Sequence, residues 1–134
     1  MSRRSEVLFE GYTEDELLAL PRELMEAMIL TGQPVIFRAG SATILGEFGV
    51  EGNRLRIELA QVEGGGEGVL VAIWALARRY AQLHQLAAIE WVVDAVHCAQ
   101  PNLKLRRVLE RRGFVIKALP AVGEAYYLLE PVGL

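Results

Sequence analysis

Histidine and cysteine are nearly absent from this chain of 134 residues: it has two of the first, His84 and His97, and one of the second, Cys98. A single cysteine excludes an internal disulfide framework, and no CxxC or HxxxH spacing is present to hold a metal. No stretch approaches the roughly 18 consecutive apolar residues of a membrane span. The longest such pattern, Val69 to Leu76, runs straight into Arg78 and Arg79. Met1 to Arg4 is followed by Glu6, Glu10 and Glu14, so no signal peptide and a cytoplasmic location are expected. The formal charge of -3 gives no strong nucleic-acid signal. The one basic run, Lys104 to Arg112, reads as the solvated face of a helix whose Leu103, Leu105, Val108 and Leu109 turn inward.

What the chain does have is apolar residues, 52% against 23% charged, enough to bury a real core at a length that suits one domain over residues 1–134. Residues 6–12 read as a short strand, after which Thr13 and Glu16 form a capping box that starts a helix. Pro21 interrupts that helix, and a second resumes over Arg22 to Leu30. From Gln33 to Val62 the period changes to that of strands, with Ala39-Gly40-Ser41 and Glu51-Gly52-Asn53 as turns, which predicts a three-stranded antiparallel meander. In its third strand Leu55, Ile57 and Leu59 alternate with Arg54, Arg56 and Glu58, so one face is apolar and the other polar. A helix is expected from about Glu67 to Gln85 and a strand at Ala88 to Asp94. There follow a helix at Pro101 to Arg112 and strands at Phe114 to Leu119 and Ala125 to Glu130. The predicted class is α/β, in the order β-α-α-β-β-β-α-β-α-β-β.

Two local motifs fall at telling places in that order. Gln61-Val62-Glu63-Gly64-Gly65-Gly66 closes the fourth strand, and Asn102-Leu103-Lys104-Leu105 follows the fifth, leading to Gly113-Phe114. Together with the element order, they make the chain similar to the GNAT superfamily of CoA-dependent acyltransferases. That family has Gln or Arg, two residues, Gly, one residue, and Gly or Ala at the first place, and Asn, a small helix and Gly-Phe at the second. The resemblance implies a mixed, mostly antiparallel sheet and acetyl-CoA or another acyl-CoA as co-substrate. It also implies that Gln61, Val62, Gly64, Gly65, Gly66 and Gly68 receive the pyrophosphate. Glycines let the backbone approach phosphate oxygens, and the start of the next helix attracts negative charge. Asn102 would hydrogen-bond the pantetheine arm. Leu109 stands where the family often places a proton-donating tyrosine, and Glu63 and Glu67 add negative charge beside the loop.

An acyltransferase of this kind needs a base for its amine acceptor, a small molecule or a protein. Glu58, on the polar face just before the loop, is the first candidate, and Glu90, alone in an apolar strand, the weaker second. Glu58 has a plainer reading as partner of Arg54 or Arg56, and Glu90 as a sheet-edge residue. His97 and Cys98 follow the fifth strand, where an imidazole could activate a thiolate, but sequence neighbours usually point apart and a lone cysteine is most often a small buried hydrophobe. Tyr126 and Tyr127 should point to opposite sides of the last strand, either being able to replace the missing acid. The alternative to an N-acyltransferase is a GNAT-like module without catalysis that binds a ligand or protein. A homodimer built through sheet edges or apolar helices is a third reading.

Overall fold

The structure, a computed structural model, describes residues 7–9, 13–39, 42–63, 68–94, 103–120 and 123–132. The first half of the chain gives β1 (Val7–Phe9), α1 (Glu14–Ala19), α2 (Arg22–Met28), β2 (Pro34–Ala39), β3 (Ala42–Glu51) and β4 (Arg54–Glu63). The second gives α3 (Gly68–Leu83), β5 (Ala88–Val93), α4 (Leu103–Arg111), β6 (Val115–Leu119) and β7 (Gly123–Pro131). This is the order expected from the sequence. The capping box is present: the Glu16 amide donates to Thr13 Oγ1 at 3.2 Å and the Thr13 amide to Glu16 Oε1 at 3.1 Å. Pro21 separates the first two helices as the N-cap of α2, where its missing N–H leaves no helical bond unmade. None of the described helices is long and apolar enough to cross a membrane.

The strands form one sheet in the order β1-β2-β3-β4-β5-β7-β6. Neighbours are antiparallel except β4 and β5, which are parallel and need a crossover, supplied by α3. The hairpin between β3 and β4 turns on Gly52 and Asn53, with Glu51 opposite Arg54. A positive φ of 61° at Gly52, followed by a residue outside that region, suits the type II′ turn that matches strand twist. Residues whose numbers sum to 105 then face each other as far as Gly46 and Leu59, beyond which the sum becomes 106, Leu45 facing Gln61. Ala60 is the extra residue, a β-bulge in β4.

One face of the sheet carries the core. Phe37, Ile44, Phe48, Leu55, Ile57, Leu59, Ile89 and Trp91 join Leu17 of α1, Met25 of α2, Ile73 and Trp74 of α3 and Leu109 of α4 in a single buried cluster. Trp74 anchors it, 5.3 Å from Trp91 and 5.8 Å from Phe114 between ring centroids, in the tilted and edge-on arrangements aromatic rings prefer. An apolar cavity of about 50 Å³ lies on this same side, lined by residues of α1, α2 and α3 with Phe48, Leu55 and Ile57. The polar residues of β4 therefore occupy the other face.

The bulge depends on a close approach of β3 to β4. A Cβ at Gly46 would lie 3.1 Å from the Glu58 carbonyl oxygen and 3.2 Å from the Phe48 ring, while one at Gly49 would meet nothing within 4 Å. Gly46→Val is accordingly expected to cost about 1–3 kcal/mol in urea unfolding through overpacking. Gly49→Ala is expected to leave stability unchanged or slightly raised.

Candidate functional site

Register places two rows of side chains across the polar face. Glu47, Glu58, Val92, Tyr127 and Val115 stand in line over β3, β4, β5, β7 and β6. The next row holds Gly49, Arg56, Glu90 and Leu129. Strand pleating sends these side chains to one side, and the intervening Ile57 and Trp91 to the core. Val92 is fully buried yet lies outside the core cluster, so the polar face is covered, not open, between Glu58 and Tyr127.

The two sequence-predicted carboxylates meet different surroundings. Glu90 is saturated: Arg54 Nη1 donates to it at 3.3 Å, Arg56 Nε at 3.1 Å and the Tyr127 hydroxyl at 2.7 Å. Its side chain is 15% exposed, and with three donors around it the carboxylate sits as a structural hub. The sequence left Glu90 open between a buried acid and a sheet-edge residue; it lies on a central strand, ion-paired.

Glu58 is 18% exposed, and its nearest cation, Arg56 Nη2, is 3.9 Å away. Burial, first, and then the negative charge of Glu47 opposite push the Glu58 carboxyl above the usual carboxylate range. Arg56 pulls it back, while Asp94 and a carboxyl–carboxyl hydrogen bond with Glu47 push it further up. A carboxylate whose proton affinity is raised in this way is a stronger proton acceptor once ionised, as a general base must be. Glu47 was missed from sequence, yet its number and that of Glu58 sum to 105, so the Gly52-Asn53 turn alone would have placed them together.

The tyrosines point apart as expected. Tyr126 is buried in the core, its hydroxyl accepting from Arg106 Nε at 3.1 Å. Tyr127 lies on the polar face, and burial, followed by its hydrogen bond to Glu90, raises its pKa above that of a free phenol. Leu109 is wholly buried among apolar neighbours.

Beside these residues the described part of β4 runs on past that of β5. Pairing of β4 with β5 ends at Leu59 and Val93, the last link being the Asp94 amide donating to the Leu59 carbonyl at 2.9 Å. β4 runs on to Glu63, still paired with β3, and among the described residues its far edge has no strand partner there. Gln61 and Val62 fall on that extension, opposite Leu45 and Ile44, and Gly68 is the first residue of the 16-residue α3. Gly64, Gly65, Gly66, Asn102, His97 and Cys98 lie outside the described residues.

A mixed sheet with one parallel pair among the described strands, β4 and β5, joined through the crossover helix α3, is a GNAT-like fold. No protein-family model and no curated protein matches the sequence. Among solved structures the chain is similar to one in the NatC complex bound to Gag peptide and CoA, at 17% identity and a TM-score of 0.44 over 73% of this chain and 71% of that one. It is also similar to Ard1 from Thermoplasma volcanium, at 11% identity and a TM-score of 0.43 over 98% and 100% of the two chains.

The raised Glu58 pKa gives a signed stability test. Between the ordinary carboxylate range and the raised folded value the folded state binds more protons than the unfolded chain, so stability falls as pH rises through that window. Glu58→Gln removes this loss. Its Tm is expected to exceed that of the wild type at pH 7 to 8, and the gap to close as pH is lowered below the ordinary carboxylate range. Scanning calorimetry across pH measures both.

Proposed function

We propose that the chain is an acyl-CoA-dependent N-acyltransferase, acetyl-CoA being the expected donor, acting on an amine brought to the polar face at Glu58. The observation that carries this reading is that, among the described residues, β4 runs past its last pairing with β5, with a carboxyl of raised pKa one residue before that last paired position. The edge of residues 60–63, without a strand partner among the described residues, would offer backbone donors and acceptors to an extended amide-bearing arm, as a sheet edge does to an added strand. Gln61 to Gly66 with Gly68 would receive the pyrophosphate at the start of α3, and Asn102 would hold the arm. When bound, the acyl-CoA supplies an activated acyl group.

Glu58 then takes the proton from the amine, and burial of its carboxyl keeps water from competing for it. Glu90 is kept as the weaker candidate; its three donors fit it better to fixing Tyr127 and Arg56 in place. Tyr127 brings a hydroxyl proton to the same face. One observation favours a second reading: Leu109 is a buried core residue and donates nothing, which suits a GNAT-like module that binds without catalysis. Amine acceptor, intracellular location and a dimer of such chains belong to the same proposal.

Calorimetric titration with acetyl-CoA and with free CoA separates the cases. Saturable heat and a raised Tm are expected from both ligands, about 2.7 kcal/mol of stabilisation at a hundredfold excess over Kd. Gly64→Glu should remove both signals, and Glu58→Gln should keep binding while lowering acetyl transfer to an amine panel about 10²–10⁴-fold. Neither heat nor stabilisation at millimolar ligand would sink the acyltransferase reading; heat without transfer by the wild type supports the binding module.

A further inference from the structure

The apolar cavity on the helix side of the sheet takes no part in the site at Glu58. Ile57 lines it, and Glu58, the next residue of β4, turns to the opposite face. Of its twelve lining residues only Tyr80 has an oxygen or nitrogen in its side chain, and none is charged. At about 50 Å³ the cavity exceeds the roughly 10–15 Å³ that one water needs, yet a water there would lack the polar partners that hold one. Such a space stays dry, and its lining forgoes the dispersion contacts that an occupant would make.

The cavity persists because its walls are held apart. Leu55 and Ile57 of β4 form the floor with Phe48 of β3, whose ring is set edge-on to Phe37 at 5.4 Å between centroids. The side wall is α3, with Ile73, Ala77 and Tyr80, the last 4.3 Å from the His84 ring. The roof is α1 and α2, six and seven residues long, each burying one side chain, Leu17 and Met25. That roof is tied at both ends. Arg79 of α3 pairs with Glu14 and Asp15 at the start of α1, and beyond α2 the Gly32 amide donates to the Phe48 carbonyl at 2.9 Å. Leu18 and Leu30 are only half-buried and form the rim.

We infer that this cavity is a second binding site, which takes the alkyl end of a small neutral molecule. An ammonium, carboxylate or phosphate inside it would lose its hydration with no partner in exchange. The space holds roughly three to five water-sized groups, so an end of about four carbons fills it. An aromatic ring needs more, since a dry cavity that binds benzene measures about 150 Å³. Entry past Leu18 and Leu30 leaves the polar remainder of the ligand outside, and Met25, with its flexible thioether chain, lets the roof adapt. This site does not depend on the acyltransferase reading, because the sheet stands between it and Glu58.

The test is titration of the whole chain with xenon and with straight-chain alcohols from ethanol to octanol, read by the methyl NMR signals of leucine and isoleucine. Xenon and butanol should shift Leu17, Leu55, Ile57 and Ile73 and leave Ile36 and Leu83, 64% and 58% exposed, unmoved. Affinity is expected to rise about two- to fourfold per carbon as far as butanol, then to level off as the chain leaves the cavity. Butylammonium should not shift the lining signals. Ala77→Leu puts its side chain into the space, and should abolish the xenon and butanol shifts and raise Tm by about 3–5 °C. If that variant does not fold, the wild-type series decides alone. Absent lining shifts, butylammonium shifts equal to those of butanol, or an affinity that climbs without a break to octanol overturn the inference. So do xenon shifts that survive in a folded Ala77→Leu chain.

Discussion

The hydrogen bond from the Asp94 amide to the Leu59 carbonyl is, among the described residues, the last link between the two parallel strands, and the arrangement of the site follows from where it falls. On its β3 side β4 stays paired through Glu63; on its β5 side the pairing of described residues ends at Leu59. The bulge at Ala60 produces this asymmetry by adding one residue to β4 and increasing its local bend. Gly46 permits it, because a side chain there would press on the Glu58 carbonyl. A parallel pair also requires a crossover, and α3 begins five residues after β4 ends, at Gly68. The end of the described parallel pairing, the helix start and Glu58 are thus brought to one end of one strand by the same connection.

Two carboxylates on that face are divided by the arginines. Arg54 and Arg56 both turn to Glu90, and with the Tyr127 hydroxyl they hold its carboxylate in place. Glu58 receives only the far end of Arg56 at 3.9 Å and faces Glu47 instead. Groups of the same kind are thereby given different surroundings by their neighbours, one neutralised by cations and the other set against a second acid.

Much of this was legible in the sequence where local physics decides. The alternation of Leu55, Ile57 and Leu59 with Arg54, Arg56 and Glu58 gave the two faces of β4, and Thr13 with Glu16 gave the first helix start. The hairpin turn even encodes the Glu47–Glu58 pairing. The register of β4 against β5 is different. It is set by how α3 packs on the sheet through Ile73, Trp74 and Ala77, so no local signal places Arg56 opposite Glu90, and Glu90 looked like a buried or edge acid. Asn102 and the glycines of the loop lie outside the described residues, so their role rests on the resemblance alone.

The pairing of Glu47 with Glu58 is where local rules are broken. Like charges directly opposite on antiparallel strands are destabilising, by an amount comparable to the roughly 0.2–1 kcal/mol of a favourable pair. Here the conflict shows in the raised pKa of the Glu58 carboxyl, in the centre of a sheet whose other polar residues pair well. A neutral amide at either position would serve stability better, since it could donate to the remaining carboxylate without a second charge. Departures of this kind from local consistency are expected at sites with a task other than folding. This one lies beside the only parallel strand pair among the described strands, one residue before that pair lets go.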